Sequence, residues 1–331
     1  MTSQFSGMPH LNYPLRFAPI LKQYIWGGRR LGSMLCKPVG SATDYAESWE
    51  VVDHRDGQSI VSSGPHTGMS LGELVSQLPN ELFGTKQYDR FPLLFKFLDA
   101  NKTLSVQVHP DDAYAQMMDP PDLGKTEAWV VIHADPESVL YAGLKPGIQQ
   151  NDLKNAVDAG TVAHVLNEFE VTVGDCVFIP AGTVHALGDG LVIAEIQQAS
   201  NTTFRLFDWN RLGADGKPRD LHVKQSLDVT DFKKGPVRLQ EPERIDDVRE
   251  LLVECDQFQL QRWTVTAGSE FDFQGDGEFQ IVSVLRGEVG LIGDHCAALQ
   301  TGETCLYPAA CTTRRATAVS DSVLLVIEGG G

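Results

Sequence analysis

The stretch GDCVFIPAGTVH, residues 174–185, sets an apolar run of strand length between Gly174 and a Pro180-Ala181-Gly182 turn, and places His185 where the next strand would start. The same frame returns as GETCLYPAACTT, residues 302–313, with Gly302 and Pro308 each 128 positions after Gly174 and Pro180. A strand-and-turn unit written twice predicts two similar β units in one chain. The copies differ in chemistry, because Thr313 stands where His185 would fall and Ala310 replaces Gly182. The first unit is therefore expected to carry the activity and the second to be kept for structure.

The surroundings are strand-rich. VQV (106–108), AWVVIHA (128–134), CVFIPA (176–181), LVIAEIQQ (191–198), FQIVSVL (279–285) and SVLLVIE (322–328) are short apolar runs punctuated by glycine and proline. Helical periodicity is confined to SLGELVSQL (70–78), DDAYAQMM (111–118) and NDLKNAVDAG (151–160), each opening on a residue suited to cap a helix. The expectation is a mainly β chain with helical insertions, the first domain running over 1–235 with its insertion around 110–170, and the second over 236–331.

At 331 residues the chain is long enough for two compact domains, and its 42% hydrophobic and 21% charged content is that of a soluble globular protein. A formal charge of −17 argues against nucleic acid or an anionic membrane as partner. No run reaches the length of a membrane span, and the first 15 residues lack the apolar core of a signal peptide, so a cytoplasmic location is expected. Six cysteines, Cys36, Cys176, Cys255, Cys296, Cys305 and Cys311, form no C-x-x-C pair and are read as reduced. Nothing in the composition sets the oligomeric state.

The segment LSVQVHPDD (104–112) carries the next signal. In an extended chain Ser105, Gln107 and His109 fall on one face, and Leu104, Val106 and Val108 on the other. A polar face on a strand otherwise fit for burial either meets water or lines a site. Lys96 inside LLFKFLDA and Glu195 inside LVIAEIQQ pose the same question, since charges are seldom buried without a partner.

The frame G-x5-P-x-G-x2-H over 174–185 resembles the second motif of the cupins, which implies jelly-roll barrels with the histidine pointing inward onto a metal. WGG (26–28), AESWE (46–50), QVHPDD (107–112), GKTEAW (124–129), IPAGTVHALG (179–188) and IQQASNTTFR (196–205), in that order, resemble the type I phosphomannose isomerases, also called mannose-6-phosphate isomerases. The likeness runs over residues 24–211. Several short motifs in consistent order are far more specific than any one alone.

That resemblance implies one Zn²⁺ per chain held by Gln107, His109, Glu127 and His185, a donor set of imidazole nitrogens and oxygens that zinc accepts. It also implies active-site roles for Lys96, Lys125, Glu195 and Arg205. Ser105, Lys125 and Arg205 would bind the sugar phosphate, and Glu195 or Lys96 would serve as the base. A lysine whose pKa is depressed by burial and by the ion would suit that role. The plainer reading of Glu195 is an ion pair with Arg205. His133 shares a strand and even spacing with Glu127, so it is expected to face the same side.

The implied reaction interconverts mannose 6-phosphate and fructose 6-phosphate through a cis-enediol. Only 57 residues separate Glu127 from His185, which matches the short bacterial-type enzymes, and no nucleotidyltransferase signature is present, so an isomerase alone is expected. Two other classes fit the frame: an iron-dependent cupin oxidoreductase, disfavoured by Gln107 where a second histidine is usual, and a sugar-phosphate-binding cupin without turnover.

Overall fold

Valine, isoleucine and leucine alternating with smaller or polar residues pair here into antiparallel sheets whose apolar faces meet. The computed structural model describes residues 9–213, 216–275 and 277–330. It divides into two compact units, each drawn from separate parts of the chain. One comprises residues up to Ile20 with Glu50–Leu93 and Pro242–Gly331, and the other Leu21–Trp49 with Leu94–Glu241. The last of the four junctions, Glu241/Pro242, lies near 235/236, whereas Glu50–Leu93 and the residues up to Ile20 group with the C-terminal segment. That excursion leaves no composition signal.

In the unit of Leu21–Trp49 and Leu94–Glu241, a six-stranded sheet runs in the order Cys176–Ile179, Glu127–Ala134, Leu191–Gln198, Leu93–Ala100, Tyr45–Val51, Ile20–Gly28. A five-stranded sheet runs Leu166–Glu170, Val139–Leu144, His185–Leu187, Val106–Val108, Phe204–Phe207. Trp129, Val131, Ile193 and Leu98 of the first sheet pack against Leu140, Ala142 and Leu187 of the second in one buried cluster. Both sheets are open. The outer face of the smaller sheet, with Val106, Val108, Ala186 and Leu206, packs against Leu153 of a helix and Val162.

The expected insertion resolves into separate pieces, Asp112–Gln116, Gln150–Asp158 and a turn of 3₁₀ helix at Val162–His164, with strands of both sheets between them. Ser70 caps Leu71–Gln77 in a reciprocal box with Glu73, and Asp111 caps Asp112–Gln116. The third helix starts earlier than Asn151 suggested, with Gln149 at its cap and the Asp152 carboxylate accepting from the Gln149 N–H. Leu104 also departs from expectation. It joins the inner cluster rather than Val106 and Val108, because the strand begins only at Val106 and strict alternation does not extend before it.

The other unit pairs Leu15–Arg16, Thr304–Tyr307, Gln280–Arg286, Ser322–Gly329, Phe258–Val265, Arg249–Glu254 and Glu243–Arg244 in one sheet. Glu270–Asp272, Arg315–Ala318, Glu288–Leu291 and Leu299–Gln300 form a second. Trp263, Phe273, Val282, Tyr307 and Val326 fill its core.

The written repeat is a structural one. Gly174 and Gly302 both adopt the left-handed backbone, at φ 95° and 86°. Each donates its N–H into a neighbouring strand, Gly174 to Val131 O and Gly302 to Val284 O, and Asp175 O and Glu303 O accept from the same two residues in return.

Candidate metal centre and cavity

Two rows of side chains meet inside the first of these sandwiches. On the smaller sheet Arg205 pairs with Gln107, and Gln107 with His185, so three neighbouring strands present these residues side by side. On the larger sheet Glu127 pairs with Ile179 and Gln197, and Trp129 with Val177 and Glu195. His109 follows the end of its short strand, where its carbonyl accepts from Gly182 N–H and ties it to the Pro-Gly turn before His185. Gly182 sits at φ 83°, and an added Cβ would lie 3.1 Å from Val229 O, so a side chain there is disfavoured twice.

His109, Glu127 and His185 are fully buried, and one ligand atom from each lies within 4.8 Å of the others. His185 Nε2 is 3.3 Å from Glu127 Oε1, and His109 Nε2 is 3.6 Å from Glu127 Oε2. Both imidazoles are held from behind, His109 Nδ1 by Thr202 O and His185 Nδ1 by Thr183 O, each at 2.9 Å. With Nδ1–H donating to a carbonyl, Nε2 is left as a bare lone pair facing the carboxylate. Burial, reinforced by Lys125 and His185, holds His109 well below the ordinary imidazole value, and burial takes His185 down to about 4. Both rings are therefore neutral at pH 7. The Gln107 amide lies 3.2 Å from His185 Nε2.

Charge gathers around this triad. Lys125 Nζ is 2.7 Å from Glu127 Oε2, 3.1 Å from His109 Nε2 and 3.5 Å from Glu195 Oε1. Lys96 Nζ lies between Glu195 at 3.4 Å and Glu47 at 3.5 Å, and Glu47 also accepts from Trp49 Nε1 at 2.6 Å. Burial lowers the Lys96 pKa, but Glu195, Glu47 and Glu127 together carry it above the ordinary lysine value. Burial thus acts in the expected direction, and the three carboxylates outweigh it. Burial raises the Glu195 carboxyl against the pull of Lys96, with Glu127 adding to the rise.

A cavity of about 300 Å³ opens beside the triad, lined in part by Lys96, Ser105, Gln107, Lys125, Glu195 and Arg205. Tyr24, Trp26, Glu47, Asn201, Thr203 and Arg219 also face it, although the motifs assigned them no role. Glu47 had a faint signal as a carboxylate in a buried strand, but Glu50 on the same strand is equally buried. Arg219 had none, since a lone arginine in GKPRD reads as a solvated charge. Asp208 holds it through Nε and Nη2, at 2.7 and 2.5 Å.

The plainer reading of Glu195, an ion pair with Arg205, does not hold. Glu195 takes both lysines, while Arg205 Nη1 donates to Asp220 O at 2.9 Å. His133 also leaves the site and bonds Asp135 at 2.9 Å. A bulge between Val192 and Ile193 shifts the register before His133, so even spacing from Glu127 no longer means the same face.

The family model for the catalytic domain of phosphomannose isomerase type I matches residues 15–125. Mannose-6-phosphate isomerase ManA of Bacillus subtilis is 36% identical over 298 residues, covering 89% of this chain and 93% of the relative. The chain belongs to the type I phosphomannose isomerase family. Its members are enzymes, and the mannose-6-phosphate isomerase of Streptococcus mutans is likewise 36% identical, over 302 residues, covering 89% of this chain and 92% of that protein. The crystal structure of the mannose 6-phosphate isomerase from Bacillus subtilis superposes with a TM-score of 0.85 at 29% identity, covering 95% of this chain and 99% of the other.

Proposed function

We propose that this chain is a Zn²⁺-dependent isomerase that interconverts mannose 6-phosphate and fructose 6-phosphate through a cis-enediol, with Gln107, His109, Glu127 and His185 holding the ion. The observation that carries the reading is the pair of neutral imidazoles aimed at one buried carboxylate. The donor set fits a divalent cation. Neither oxygen of Glu127 receives a well-aligned hydrogen bond, and three buried carboxylates, Glu47, Glu127 and Glu195, face only two ammonium groups. A cation would relieve that imbalance, which is costly in a buried site. Swapping the Gln107 amide end for end would turn its oxygen toward His185 and the ion.

When bound, the ion supplies a Lewis acid for the O1 and O2 oxygens of the open-chain sugar. Glu195 is the base in this reading. Burial disfavours its ionised form and so makes the carboxylate a stronger proton acceptor, whereas Lys96 among three carboxylates has no free lone pair at neutral pH. Glu195 removes the C2 proton of the aldose and returns it to C1, while Lys96 keeps the carboxylate aimed and Lys125 stabilises charge on the sugar oxygens.

Arg205, with Arg219, suits the phosphate. Burial and the neighbouring Arg219 both lower the Arg205 pKa, and two guanidinium groups in that position are stabilised by an anion between them. Ser105 adds a hydroxyl on the same wall. We place this chemistry in the first of two cupin-like jelly rolls, within residues 1–235, and infer that the second, 236–331, is metal-free and that the enzyme is cytoplasmic. Support comes from the cavity residues, which all lie between Tyr24 and Arg219; among the described residues no helix is long and apolar enough to cross a membrane. Metal content and aldose-ketose turnover measured on one purified sample test the reading. Stoichiometric zinc with turnover is expected, and turnover unaffected by complete metal removal would sink it.

A further inference from the structure

The segment Ala199–Thr203 joins two strands without belonging to either sheet, yet it carries the carbonyl that orients His109 and two side chains, Asn201 and Thr203, that line the cavity. Ser200 N–H donates to Gln198 O and Ser200 O accepts from Gln197 Nε2 at 2.5 Å, and a side chain from elsewhere in the fold adds to this hold. That side chain is Asp122. It is almost fully buried, and its Oδ2 accepts from Thr202 Oγ1 at 2.9 Å and Ser200 Oγ at 3.1 Å, while Oδ1 accepts from Leu123 N–H at 2.9 Å. Ser200 Oγ in turn accepts from Thr202 N–H.

Asp122 is itself anchored. Its N–H donates to Ala115 O, and its carbonyl accepts from Gln116 Nε2, so its backbone is pinned to the helix Asp112–Gln116. A continuous chain runs from that helix through Asp122 and Thr202 to His109 Nδ1. Asp122 is not among the residues that line the cavity, and it reaches the loop through Thr202 and Ser200.

We propose that Asp122 is a positioning residue for the metal-facing imidazole of His109, acting through the hydroxyl and carbonyl of Thr202. The inference rests on the reading of His109 as a metal ligand. A carboxylate that accepts two hydroxyls from one loop fixes that loop more firmly than either bond alone, and a fixed Thr202 carbonyl permits one direction for the Nε2 lone pair. Remove the carboxylate and the ring keeps its tautomer but loses its aim.

The test is Zn²⁺ alone, titrated into metal-stripped full-length protein against a competing chelator. Asp122→Asn keeps the shape but has one oxygen to offer either to the two hydroxyls or to Leu123 N–H and not to both, and Thr202→Val removes the hydroxyl while keeping the carbonyl. Each is expected to weaken Zn²⁺ binding roughly 10-fold or more, the usual scale for groups that orient a metal-bound histidine. The double variant should be no weaker than the weaker single, because both cut the same chain. Zn²⁺ affinities within about twofold of wild type in both variants, or losses that simply add, would overturn the proposal. A role in folding alone would lower the melting temperature of the metal-stripped protein and leave the Zn²⁺ affinity of the folded fraction unchanged. Should Asp122→Asn not fold, Thr202→Val carries the same test. Wild-type protein that binds no Zn²⁺, or His185→Ala protein that binds as much, would instead bring down the metal reading and this inference with it.

Discussion

The two halves of the repeat use one backbone frame to enclose opposite interiors. Register carries the correspondence residue by residue. Val177 and Ile179 pair with Trp129 and Glu127, as Cys305 and Tyr307, 128 positions later, pair with Val282 and Gln280. One strand further, Trp129 and Glu127 meet Glu195 and Gln197, while Val282 and Gln280 meet Val326 and Glu328. Val326 thus holds the place of Glu195, and Gln280 the place of Glu127. Beside Thr313, which replaces His185, the buried Arg314 donates to Gln280 Oε1 at 2.5 Å, to Cys311 O at 2.9 Å and to Pro308 O at 3.1 Å. A cation on a side chain, with its donors satisfied by the fold, fills the interior that the first half lines with imidazoles and carboxylates. The frame tolerates either filling, so the chemistry lies in a few inward positions and not in the fold.

The comparison is broken most directly at its histidine. His185→Ala should lose stoichiometric zinc and lower kcat/KM by on the order of 10³-fold, since one strong ligand of the ion is gone; metal analysis and a coupled assay on the same sample read both. Next comes the carboxylate that the second half lacks. Glu195→Gln should keep zinc and substrate binding while kcat falls by about 10²-fold or more, and exchange of the C2 proton with solvent should fall with it. If Lys96→Met shows that pattern and Glu195→Gln does not, the base is Lys96.

Arg314→Met probes the other interior. It should cost about 2 kcal/mol of stability in chemical denaturation, from the lost charged hydrogen bonds and a stranded Gln280, with kcat unchanged. A fall in kcat would show that the second half does more than hold structure. The smallest effect is expected at the mouth of the cavity. Arg219→Met should raise KM for mannose 6-phosphate roughly 10-fold and leave kcat nearly intact, consistent with the loss of one charged contact to a phosphate. An unchanged KM would confine the phosphate role to Arg205 and Ser105.

Much of this site was legible because its residues break local rules. Gln107 and His109 interrupt a strand fit for burial, Lys96 and Glu195 sit inside apolar runs, and Gly174 and Gly302 mark turns that need a positive φ. Each is a conflict between a side chain and its neighbours, and such conflicts are visible without coordinates. Arg219 and Asp122 create none, because a charge in a polar loop looks the same whether it meets solvent or a site.

The order and type of the elements and the written repeat are local properties, set by side-chain periodicity and turn chemistry over stretches of a dozen residues or fewer, and the triad was legible through the short motifs that carry the family resemblance. What the tertiary structure alone decided depends on distance and register: that Glu195 pairs with the two lysines and not with Arg205, that three carboxylates oppose the effect of burial on Lys96, and that one bulge turns His133 away from Glu127. Electrostatic interactions fall off with separation in space, and a one-residue slip reverses a face, so neither can be read from sequence spacing.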